Sequence, residues 1–261
     1  MSASAVPRIV AARSGAATSS AVAELKVYEH DRDVQGVAIP GAEVHLVVRF
    51  GPPTQHGIDV HALGGRQKLH RKVLRSGQRV VMARLKLGAT DAVLGVPASA
   101  MVGRIVALDE LWGGATTRRL LDRFADARDT SEAAAILAGA IAERFGLAGV
   151  QRSHTQLVLA AADRLIDANV NAVADDLGVS ERHLRRVFRE TIGVSPKTFA
   201  KLTRFRRAVG AARAENHGSW ATIAAAAGYY DQAHLIREFR AIAGVTPRVL
   251  LGELRAAHSI G

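Results

Sequence analysis

The 261-residue chain has no cysteine. That absence excludes disulfides, thiol nucleophiles, iron–sulfur clusters and cysteine-based zinc sites. The chain also lacks any run of 18 apolar residues free of charge, so no segment reads as a membrane span. No Gly-x-Ser-x-Gly turn occurs, which removes the usual signature of a serine hydrolase. Acidic residues are missing before Glu24, whereas Arg8 and Arg13 fall in a stretch rich in Ala and Ser. That composition resembles a transit peptide. A secretory signal would need an unbroken apolar core, and Arg13-Ser14-Gly15 interrupts this one. Residues 1–23 are therefore read as a disordered tail on a soluble cytoplasmic protein.

What is present is ordinary for a globular chain: 48% hydrophobic and 23% charged residues, enough for one large domain or two smaller ones. Lys and Arg number 35 against 24 Asp and Glu, a net charge of +11 that favours an anionic partner, nucleic acid or an acidic surface. The excess does not single out one half of the chain. Residues 1–150 hold 19 basic and 14 acidic side chains, and residues 151–261 hold 16 and 10. Local clustering is sharper: between Ser180 and Arg213 lie ten basic residues and two acids, Glu181 and Glu190.

Residues 24–96 read as β-rich. Val44, Leu46 and Val48 alternate with Glu43, His45, Val47 and Arg49, and the run stops at Gly51-Pro52-Pro53. Ile58–Leu63, Gln67–Leu74 and Arg79–Leu87 are further short segments, with turns at Gly64-Gly65 and Ser76-Gly77. Short strands with close turns suggest a small barrel or sandwich. After Trp112-Gly113-Gly114 the period changes. Leu120, Leu121 and Phe124 fit one helix, expected over 116–127. Ile136, Leu137, Ile141 and Phe145 fit another over 131–146, with Ser131 as its cap. Gly146–Arg152 reads as a linker, and everything from Thr155 onward reads as helical.

The second half contains an internal repeat. Val173–Ser180, Glu181–Arg189 and Gly193-Val194-Ser195-Pro196 recur as Ile223–Asp231, Gln232–Arg240 and Gly244-Val245-Thr246-Pro247. The offset is 50 up to the glycine and 51 after the turn. Each copy has a short helix, a turn entered through Gly and a second helix opened by a capping residue, Ser180 or Asp231. That is the pattern of a helix-turn-helix. In the first copy Leu184, Val187 and Phe188 share one face, and Arg182, Arg185, Arg186 and Arg189 share the other. Four arginines on one face repel one another; with no acid inside the stripe, a polyanion would relieve them. The matching face of the second copy is Ala233, Ile236, Arg237 and Arg240, shorter and less polar, while Glu238 takes the place of Val187. Arg237 and Arg240 suit guanine edges or phosphates, and Ala233 and Ile236 suit thymine methyls. For Ile236, burial against a neighbouring helix is the alternative. Between the copies a helix is expected from Pro196, with Phe199, Leu202, Phe205 and Val209 on one face and Lys197, Lys201 and Arg204 opposite. About 18 residues of helix span about 27 Å, a rod suited to holding two heads about one duplex turn apart.

The tract Gly228–Arg240 followed by Gly244-Val245-Thr246-Pro247 closely resembles the signature of the AraC/XylS family of bacterial transcriptional regulators. The first copy, and Arg204 followed by Ala208 in the connector, agree with it; Leu235 and Leu250 depart from it, standing where aromatics are common. The resemblance covers about residues 155–257. It implies two helix-turn-helix units docking in successive major grooves of double-stranded promoter DNA. Residues matching base-reading positions are Arg182, Arg185 and Arg186 in the first unit and Gln232, Ile236 and Arg237 in the second; Arg189, Lys197, Lys201 and Arg240 are assigned to phosphates. RNA polymerase is the further partner it implies, with localisation in the cytoplasm and at the nucleoid when DNA is bound.

By the same resemblance the first half is a cupin-like domain that senses a small effector or dimerises. The expected fold class is α+β: tail 1–23, cupin-like domain 24–114, helical pair 115–148, linker 149–154 and an all-α double helix-turn-helix domain 155–258. The helical pair forms a dimer interface or covers the barrel; its apolar stripes fit either. Leu94-Gly95-Val96-Pro97 and Leu108–Gly113 match one subgroup of the family. His45, His56, His61 and His70 lack the His-x-His spacing of a cupin metal site, so no metal and no cofactor are expected. Trp112 is read as packing the barrel against the helices rather than lining a ligand pocket. No residue is assigned to a ligand. An enzyme fused to such a DNA-binding unit is the main rival, but its alkyl-acceptor and amidotransferase-like forms need a reactive cysteine. A non-specific architectural binder is the third reading.

Overall fold

The alternation at Val44, Leu46 and Val48 builds the middle of a sheet. The structure, a computed structural model, describes residues 21–52, 54, 57–147, 152–214 and 219–260. It divides into two units: residues 1–34, 43–64 and 73–150 in the first, and 35–42, 65–72 and 151–261 in the second.

The first unit holds β1 (Val22–Glu29), β3 (His45–Phe50), β4 (Ile58–Leu63), β6 (Arg79–Leu85) and β7 (Ile105–Ala107). They form a five-stranded sheet in the order β1-β6-β3-β4-β7, with every neighbouring pair antiparallel. Val48 sits opposite both Val60 and Val81, and Leu46 opposite Ala62 and Ala83, so one face is a continuous apolar layer. Short helices α1 (Thr90–Leu94), α2 (Ala98–Met101) and α3 (Leu108–Trp112) follow, then α4 (Gly114–Ala125) and α5 (Thr130–Leu147). Leu120 and Phe124 of α4 and Ala134, Leu137 and Ile141 of α5 are buried in the same core as the strand residues. The apolar stripes of the helical pair are thus spent on the unit's own sheet; Phe124 meets Phe50 edge to face at 6.1 Å. Trp112 is buried and donates from Nε1 to the Val93 carbonyl at 2.9 Å, as expected of a packing residue.

Three expectations shift. The tail was expected to reach residue 23, but Ala21 and Val22 are buried and β1 begins at Val22, paired with Leu85. Small apolar residues that look like tail composition serve here as core; residues 1–20 lie outside the described residues. The cap of α5 is Asp129, whose carboxylate accepts from the Glu132 amide at 2.8 Å, and not Ser131, which lies inside the helix. Of the expected linker, residues 152–154 already belong to a helix, and 149–151 lie outside the described residues.

The second unit holds α6 (Arg152–Arg164), α7 (Val170–Asp176), α8 (Glu181–Ile192), α9 (Pro196–Ala214), α10 (Trp220–Ala226), α11 (Gln232–Ala243) and α12 (Pro247–Ala256). It also takes in two earlier stretches of chain, which supply most of β2 (Val34–Ala38) and β5 (His70–Leu74). With β8 (His258–Ile260) they make a three-stranded sheet in the order β5-β2-β8, in which β2 and β8 run parallel. Val37 is buried among Leu202, Phe205, Leu235 and Phe239. At the C-terminal end of α11, Leu69 donates its amide to the Ile242 carbonyl at 3.0 Å, Lys68 donates to Ala241, and Arg71 bonds both Ala243 and Glu253. Carbonyls left open at a helix end are thereby satisfied by a remote segment. The chain is therefore α+β, an antiparallel sheet domain with helices after it and a helical C-terminal region.

Candidate nucleic-acid interface

Both copies of the repeat fold into the same backbone device. Asn169 caps α7 by accepting from the Ala172 amide at 3.0 Å, and Ser219 caps α10 by accepting from Thr222 at 3.1 Å. Each first helix ends at a glycine with positive φ, Gly178 at 67° and Gly228 at 84°, a conformation costly to any residue with a Cβ. In each, the residue after that glycine donates back five positions: Val179 to Ala174 at 3.0 Å and Tyr229 to Ala224 at 2.9 Å. The second helix then opens on the expected cap. Ser180 accepts from His183 at 3.2 Å, and Asp231 accepts from His234 at 2.6 Å.

In the first head Leu184, Val187, Phe188 and Ile192 face inward, all nearly inaccessible, and Phe188 packs against Phe199 of α9 at 5.4 Å. Arg182, Arg185, Arg186 and Arg189 are all exposed on the other side. The stripe is not wholly free of acids, as the sequence suggested. Arg185 pairs with Glu181 one turn back, and Arg186 with Glu190 one turn on at 3.3 Å. Such exposed pairs contribute about 0.3–0.5 kcal/mol each and yield readily to a stronger anion. Arg182 and Arg189 have no ionic partner among the described residues.

In the second head Leu235, Phe239, Ile242 and Ala243 face inward, with Phe239 against Phe205 at 4.6 Å. Gln232, Ala233, Arg237 and Arg240 are exposed, while Ile236 is half-buried against the core. On α9, Leu202, Phe205 and Val209 are buried, Lys197 is exposed and Lys201 half-buried. Arg204 does not line the solvent face with these lysines. It turns inward to Glu238 at 3.3 Å, with side-chain exposures of 21% and 13%, and its guanidinium lies 5.8 Å over the Tyr229 ring. The His234 ring stands 5.3 Å from Tyr229, and its Nε2 lies 3.7 Å from Glu238. Burial first, and the Glu238 carboxylate second, push the Tyr229 hydroxyl above the usual phenol range. This polar cluster was missed in the sequence. Its one visible signal was Glu238 at a position where the other copy has a buried valine.

Among the described residues no group of three or more His, Asp and Glu is placed to hold a metal ion, and no helix is long and apolar enough to cross a membrane. His56 lies outside the described residues. The first unit has a cavity of about 330 Å³ lined by Asp59, His61, Asp109, Thr117 and Arg118 with apolar neighbours.

Residues 173–252 match the family model of a helix-turn-helix domain. No curated protein matches the chain. Among solved structures, an AraC-type transcriptional regulator from Chromobacterium violaceum is 23% identical, covers 40% of this chain and 96% of its own, and has a TM-score of 0.35. The DNA-binding domain of AdpA, a global transcriptional factor in complex with a target DNA, is 24% identical, covers 40% and 93%, and has a TM-score of 0.34. ToxT from Vibrio cholerae is 10% identical over 88% of this chain and 97% of its own, with a TM-score of 0.44. The paired caps, the glycine turns and the family match agree, and residues 173–252 are a helix-turn-helix domain.

Proposed function

We propose that the chain is a sequence-specific DNA-binding transcriptional regulator, not an enzyme, whose heads α7–α8 and α10–α11 read successive major grooves of promoter DNA. The observation that carries this is the one-sided α8: four exposed arginines opposite four buried apolar residues, on a helix opened by a satisfied cap. A recognition helix needs that division, because the face that enters the groove cannot also be packed. In this reading Arg182, Arg185, Arg186, Gln232 and Arg237 contact base edges, Ile236 offers its exposed part to a thymine methyl, and Arg189, Lys197, Lys201 and Arg240 hold phosphates.

The first unit is assigned the sensing of a small effector, for which its mixed-charge cavity supplies room and polar groups. A homodimer, RNA polymerase as partner and a cytoplasmic, nucleoid-associated location complete the proposal. Selection of duplexes from a random pool by the full-length protein tests it. The expected result is an enriched motif; recovery of the random input at fixed salt would replace the proposal with non-specific backbone binding.

A further inference from the structure

The polar cluster around Arg204 lies in the second head, yet none of its members belongs to the exposed face that meets DNA. Glu238 stands at the position of Val187, which is 1% exposed in the first head. A carboxylate there is poor packing, and its partner comes from the connecting helix rather than from its own. The fit is also incomplete. Arg204 Nε is enclosed without a hydrogen bond among the described residues. Replacing an enclosed ion pair with apolar residues of similar size is often neutral or stabilising, so stability does not explain the pair. Direction does. Apolar contacts such as Val187 tolerate sliding and rotation, whereas an ion pair fixed over an aromatic ring holds only near one geometry.

We infer that Arg204 and Glu238 are positioning residues that set the angle at which α11 is presented from α9, and so the base preference of the second head. Tyr229 is the platform on which the guanidinium rests. The first head has the buried, apolar Val187 at the matching position and needs no such lock. This inference rests on the reading of the second head as a base-reading element.

The decisive variant is Arg204→Leu combined with Glu238→Val, which gives the second head a core like that of the first. Its affinity is compared with wild type on three duplexes: the selected site, the site with the block under the second head scrambled, and the site with the block under the first head scrambled. The double variant is expected to melt at or above the wild-type temperature and to lose about tenfold of its discrimination at the second block. Its discrimination at the first block should be unchanged. Wild-type discrimination at the second block in a folded double variant overturns the lock. Wild-type protein that ignores the second block overturns the reading of that head, and the lock with it. Arg204→Lys is the second variant, keeping the charge and losing the planar group over Tyr229. A folded Arg204→Lys protein with the same loss at the second block supports the lock, and one with full discrimination overturns it.

Discussion

The two heads share a backbone and differ in what closes it. Both have capped helices, a positive-φ glycine and the same five-position hydrogen bond across the turn. The first is sealed by Leu184, Val187 and Phe188 and shows four arginines outward. The second replaces a core valine with Glu238, recruits Arg204 from the connector, and has the end of its recognition helix bonded by Lys68, Leu69 and Arg71. Repetition of a motif thus fixes the local fold without fixing its energetics. One head is closed against α6 and α9, its neighbours in the chain; the other also depends on segments distant in sequence.

Removing those distant parts should widen the difference most. A fragment of residues 151–261 folds and binds DNA in the simplest domain reading, but it lacks Val37, buried in the second head's core, and the groups that bond the end of α11. Losing one buried valine costs about 1.5–3 kcal/mol. Amide exchange in α11 should therefore quicken by about tenfold or more relative to the full chain, while α8 keeps its protection. Equal exchange in the two helices would show that the distant segments contribute nothing to the second head.

The next effect concerns matched positions on the two faces. Arg186→Ala should weaken binding to the selected site by about 1–3 kcal/mol and relax one base position. An equal loss on random duplex would make Arg186 a phosphate clamp only. The smallest effect is expected on the connector between the heads. Lys201→Ala should weaken all sequences alike and reduce the salt dependence of log K by about one unit. An unchanged slope would leave Lys201 as a side chain away from the phosphates.

Much of this contrast was legible in the sequence. The repeat, its offsets, the caps at Ser180 and Asp231 and the arginine stripe all follow from local rules of spacing and hydrogen bonding. Strand alternation located β3 and β4 for the same reason. What stayed hidden depends on partners remote in the chain. Arg204 looked like a third member of a basic face, because helix periodicity does not say which way a long side chain bends. Val37 and Leu69 looked like parts of the β-rich half, because nothing local marks a strand that crosses into another unit. Ala21 and Val22 looked like tail because small residues suit a tail and a core equally. Asp129 was passed over as a cap for Ser131, two residues on, since both residue types cap well.

The central claim is that two unlike heads read DNA together. Aligning the duplexes that full-length protein selects from a random pool tests it most directly. Two enriched blocks are expected, their centres about 10 base pairs apart. The block under α8 should be strict and the block under α11 more permissive, as its single base-reading arginine, Arg237, and half-buried Ile236 would give. A single block, or two blocks of equal strictness, would contradict it.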